Sequence, residues 1–156
     1  MKLFDMFYKK GQHSDNSVDS YYSNEVTYAF KKAIEYGKSF GKKLDFSGKS
    51  IKAVEEILDY YANDLIKAQN TDEPVTENQI WSMALWWGVY LGETLRRNHL
   101  QSSKWINDPS MDKFFPILES SSGTFIYPVN KVYKRLVNGK EDNVVSFYDA
   151  VASSVE

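Results

Sequence analysis

Residues 76–98, TENQIWSMALWWGVYLGETLRRN, decide how this chain folds. Thr76 followed three residues later by Gln79 is a capping-box pattern, in which each residue satisfies a backbone N–H of the other. It opens a predicted helix that runs to about Asn98. The middle of that helix, MALWWGVYLG, is apolar on nearly every side, so it must be central and covered by neighbours all round. Ala84, Gly88 and Gly92 recur at steps of four and form one small-residue stripe. A glycine in a helix interior costs about 1 kcal/mol relative to alanine. Two on one face imply that another backbone packs closely there. Trp86 and Trp87 are adjacent and point about 100° apart on a helix. Both are core if the helix is fully surrounded; otherwise one opens onto a partner groove.

Two amphipathic helices precede this one. Residues 21–40 place Tyr22, Val26, Ala29, Phe30, Ala33, Ile34 and Gly37 on one face. Residues 50–69 carry a stripe of Ile51, Val54, Ile57, Leu58, Tyr61, Leu65 and Ile66, with Ser47 or Ser50 available as the amino-terminal cap. After Asn98 the pattern changes. Trp105-Ile106 is a short strand candidate, and residues 114–118 and 124–127 are β-like, joined by a Ser-Gly turn. Pro116 within the first run points to an edge strand, because proline donates no ladder hydrogen bond. Residues 129–137 form a short helix stopped by Asn138-Gly139, and a last helix begins near Val144. The expected class is α+β: three main helices, a small β-hairpin, then two short carboxyl-terminal helices. Residues 1–20 form an apolar tip and a polar tether, and residues 21–156 one globular domain.

Composition narrows the chemistry. The chain has 156 residues, 42% apolar and 15% aromatic, with a net charge of −2 and no cysteine. Disulfides, thiolate nucleophiles and Cys-ligated metals are excluded. The near-neutral charge argues against nucleic acid as the leading partner. MKLFDMFYKKG lacks the apolar core of a secretory signal, and residues 83–92 are too short to span a bilayer, so a cytoplasmic protein without a membrane span is expected. The charge is segregated. In residues 31–52 seven lysines stand against Glu35 and Asp45; in residues 53–79 Lys67 stands against seven acids. Either two helices of opposite sign face each other across solvent, or an acidic face of Glu55, Glu56, Asp59 and Asp64 meets a basic partner.

Catalytic motifs do not assemble. Gly48-Lys49-Ser50 and Gly37-Lys38-Ser39 lack the earlier glycine of a phosphate-binding loop. Two Ser-x-x-Lys matches, at Ser39 and Ser110, have no companion Lys-Thr-Gly. His13 and His99 show no metal spacing, and neither a metal nor a cofactor is expected. The strongest cluster is Glu93, Arg96 and Arg97, continuing to Trp105. Glu93 and Arg97 are one helical turn apart and can simply pair. Alternatively Glu93 and Arg96 face a pocket walled by Trp105, with Trp87, Lys134 and Arg135 contributing; arginine and tryptophan dominate binding hot spots.

Several segments carry a resemblance: Leu44-Asp-Phe-Ser47-x-x-Ser50, Trp87-Gly-Val-Tyr-Leu-Gly-Glu-Thr-Leu-Arg-Arg97, Trp105, Val129-Asn-Lys-Val-Tyr-Lys-Arg-Leu-Val-Asn-Gly-x-Glu-Asp-Asn143 and Phe147-Tyr148. Over residues 44–150 the chain resembles small uncharacterised bacterial proteins of the DUF3806-type domain family. The resemblance implies a compact α+β domain and a bacterial source, and brings no activity. By analogy it suggests toxin immunity. The expected function is a non-enzymatic protein-binding module for a toxin or a second copy of itself. The alternative is a small-ligand binder or enzyme built on Glu93, Arg96 and Trp105.

Overall fold

The computed structural model describes residues 18–155, with side chains from Asn24 onward. Five helices and three short strands follow in order: α1 (Val18–Ser39), α2 (Gly48–Ala68), α3 (Glu77–Asn98), β1 (Lys104–Ile106), β2 (Ile117–Glu119), β3 (Phe125–Ile126), α4 (Pro128–Asn138) and α5 (Val144–Ser154). The architecture is α+β and dominated by helix. The apolar tip and most of the tether lie outside the described residues, as does the side chain of Tyr22.

Local chemistry starts and stops these helices. Ser47, rather than Ser50, caps α2: its Oγ accepts from the backbone N–H of Ser50 at 3.2 Å. The capping box of α3 is complete, with Gln79 N–H on Thr76 Oγ1 at 3.2 Å and Thr76 N–H on Gln79 Oε1 at 2.8 Å. Pro128 occupies the first turn of α4, where its missing N–H costs nothing, and Gly139 ends the helix with φ of 97°. Asn143 caps α5 by accepting from Val145 and Ser146.

Helix α3 is the axle of the molecule. Every residue from Ala84 to Leu95 is buried except half-buried Trp86. The small-residue stripe admits α4. A Cβ on Gly88 would lie 2.5 Å from the Cα of Val129 and 3.0 Å from the carbonyl oxygen of Pro128. One on Gly92 would strike the Trp105 ring and Pro128 Cγ. On α2, Ile51, Val54, Ile57, Leu58 and Leu65 enter the core, but Ile66 is 64% exposed, because the stripe turns away from its neighbours in the last turn.

The sheet has three strands rather than a hairpin's two, antiparallel in the order β1-β2-β3. Trp105 pairs with Leu118, and Leu118 with Ile126. This corrects the edge-strand expectation: β2 is the central strand. Pro116 sits one residue before it and withholds no ladder hydrogen bond.

Candidate functional site

The Glu93 cluster is a closed knot. Glu93 is 3% exposed, and both its oxygens are filled. Arg96 donates from Nη2 at 2.6 Å and from Nε to both oxygens at 3.1 Å. Arg97 Nε donates at 3.1 Å, and Trp105 Nε1 from β1 at 2.8 Å. Burial alone would raise the Glu93 pKa; hydrogen bonds from Arg96, Trp105 and Arg97 outweigh it and hold the carboxyl below its ordinary value. Arg97 also lies over the Phe46 ring, 3.7 Å from its centroid. Trp105 packs on Gly92, and Trp87 is core at 1% exposure.

Lys134 and Arg135 do not join this cluster. Arg135, buried in α4, clamps α2: its Nε donates to both oxygens of Glu55 at 2.8 and 3.0 Å, and its Nη2 to Asp59 at 2.7 Å. Glu55 also accepts the N–H of Val144, which anchors α5. Lys134 is exposed and lines a smaller cavity with Phe125, Lys131 and Phe147. The four acids therefore do not form one open face. Glu55 and Asp59 are consumed by Arg135, Glu56 pairs with Lys42, and only Asp64 has no hydrogen bond or ion pair among the described residues. The reason lies in the long-range pairing of α2 with α4, which the local charge pattern does not disclose.

Asp64 lines an open groove of about 670 Å³ between α2 and α3. Tyr61, Leu65, Val75, Met83 and Trp86 make its apolar walls, and Asp64 is the one charged residue among its lining. Tyr36 of α1 stacks on Trp86 at 5.2 Å and 15°, and Phe40 meets Tyr60 and Tyr61 edge-on. Tyr36 and Tyr60 remain exposed at 40% and 58%. Asp72 and Glu73, exposed in the connector before Val75, add negative charge beside the groove in sequence. Ser82 donates its hydroxyl to the carbonyl of Asn78 at 2.9 Å, so it is not set up as a nucleophile. The volume lies within the range of binding pockets, and an aromatic lining with few polar groups suits recognition. The signal in the sequence was the Trp86-Trp87 pair, of which Trp86 opens onto the groove.

No family model, curated protein or solved structure matches this chain. Among the described residues no helix is long and apolar enough to cross a membrane, and no group of three or more His, Asp or Glu side chains could hold a metal ion.

Proposed function

We propose that this chain is a non-enzymatic protein-binding module that captures a basic partner in the groove between α2 and α3. A cytoplasmic toxin neutralised by such binding is the specific case. The observation that carries the reading is Asp64, unpaired among the described residues, on the wall of an aromatic groove of about 670 Å³. Apolar walls supply affinity, and uncompensated negative charge selects and steers a cationic partner. The alternative, a pocket at Glu93, Arg96 and Trp105, draws no support from carboxylate oxygens already filled by three side chains. The DUF3806-type kinship belongs to the same proposal.

The test is co-expression with the products of neighbouring genes. A partner that co-purifies and loses toxicity supports the reading. Asp64→Lys and Trp86→Ala should each weaken that complex at least about tenfold. Neighbouring products that neither bind nor are neutralised overturn the immunity role. A complex indifferent to both substitutions overturns the groove.

A further inference from the structure

A third cavity, of about 590 Å³, lies where the first turns of α3 meet α4 and the segment leading into β2. Its walls are aromatic. Trp81 is nearly parallel to Tyr133, at 3.9 Å and 8°, and to Phe115, at 4.9 Å and 16°, while Phe114 adds an edge. Two carboxylates, Glu77 and Asp112, are the charged residues among its lining.

Both carboxylates are held by neutral donors. Glu77 accepts the Tyr133 hydroxyl at 3.0 and 3.2 Å. Asp112 Oδ1 accepts the backbone N–H groups of Phe114 and Phe115 at 3.0 and 2.9 Å, and its Oδ2 accepts Asn130 Nδ2 at 3.2 Å. These bonds fix the carboxylates in position without neutralising them. Neither forms a salt bridge among the described residues. The contrast with Glu55, Asp59 and Glu93, each paired with arginine, is sharp. Among the described residues, the cation recorded against this aromatic wall is Lys113, whose Nζ lies 5.4 Å from the centre of the Phe114 ring. The aromatic wall thus already draws a positive group from within the chain.

We propose that this cavity binds a guanidinium group. Two fixed, uncompensated carboxylates favour a cation, and aromatic faces favour one that is flat and weakly hydrated. A guanidinium also offers several N–H donors, which lets it bond Glu77 and Asp112 together; a quaternary ammonium has none to offer. Glu77 is exposed, whereas Asp112 is half-buried and so the deeper of the two. The site is separate from the Asp64 groove, although Asn78 lines both, and it stands whether or not the groove binds a protein.

The experiment titrates the full chain with N-acetyl-arginine methylamide and with the citrulline analogue, its neutral near-isostere, following the Trp81 indole N–H by NMR. Saturable shifts with the arginine probe alone, weakened by salt, support the site. Glu77→Gln should weaken binding at least about tenfold, with the thermal midpoint checked because Glu77 also accepts the Tyr133 hydroxyl and stands in the first turn of α3. Lys113→Ala should tighten it by removing the competing cation. Asp112→Asn tests the deeper carboxylate, with the thermal midpoint checked because Asp112 also holds the Phe114 and Phe115 backbone. Agmatine binding as tightly as an arginine-containing tripeptide assigns the site to a free ligand; tighter binding of the peptide assigns it to a protein side chain. Equal shifts with arginine and citrulline, no saturation, or unchanged affinity in Glu77→Gln overturns the proposal.

Discussion

The indole N–H of Trp105 donates to Oε2 of Glu93 at 2.8 Å, tying β1 to the carboxyl-terminal half of α3. Hydrogen bonds to a buried charged acceptor contribute more than neutral ones. Trp105→Phe should therefore cost about 1.5–3 kcal/mol in urea denaturation. The same site carries a pH signature. Because the folded-state pKa of Glu93 lies below its unfolded value, its contribution is complete above the ordinary carboxylate pKa. That contribution is lost as the pH falls through the folded value. Glu93→Gln should be less stable than wild type at pH 7 and lose less stability between pH 5 and 3. Parallel curves for the two proteins would refute the assignment.

Gly88→Ala inverts an ordinary rule. In an exposed helix alanine would gain about 1 kcal/mol over glycine. Here its Cβ would meet backbone atoms of Val129 and Pro128, which cannot swing aside as a side-chain tip does. Overpacking costs about 1–3 kcal/mol, so the substitution should destabilise despite the helix propensity. A thermal midpoint at or above that of wild type would show that α4 is free to shift.

Which features could be read from the chain divides by range. The capping box at Thr76 and the glycine stripe at Gly88 and Gly92 are local patterns, and they place α3 and predict its close neighbour. Pro116 was misread because a strand's rank depends on its partners: only the pairing of Trp105 with Leu118 makes β2 central. The i,i+4 rule finds Glu93 with Arg97, but nothing local adds Trp105. Arg135 meets Glu55 across 80 residues, so the acidic face that the local pattern offers to a partner is partly consumed inside. The groove at Asp64 had a signal in the adjacent tryptophans, yet its location needed the packing of α2 against α3.

Arg135 and Glu55 give the sharpest test of that long-range link. Removing one partner of a buried pair leaves the other charge without compensation, at a cost of about 3–5 kcal/mol. Arg135→Ala should lose stability on that scale. Arg135→Lys should rescue only part of it, because an ammonium lacks the planar fork that reaches Glu55 and Asp59 together. Glu55→Ala should in addition speed amide hydrogen exchange at Val144, whose N–H it accepts at 3.0 Å. Unchanged exchange there would mean that α5 is anchored by other contacts.

Phe46 stands at φ of 62°, in the left-handed region, and is the one non-glycine residue described there. Its neighbours hold it in place. The backbone N–H donates to the Tyr90 hydroxyl at 2.9 Å, and its carbonyl accepts from Asn98 at 2.8 Å. Its ring stacks on Tyr90 at 5.0 Å, beneath the Arg97 guanidinium. Losing the ring should make both Phe46→Ala and Phe46→Gly less stable than wild type. Between those two, the left-handed backbone costs alanine about 1–2 kcal/mol that glycine does not incur. Glycine's greater freedom in the unfolded chain opposes this by about 0.4–1 kcal/mol. The backbone strain is the larger effect, so Phe46→Gly should be the more stable of the pair. Thermal denaturation of the two variants side by side decides it, and an alanine variant as stable as the glycine one would place the strain elsewhere.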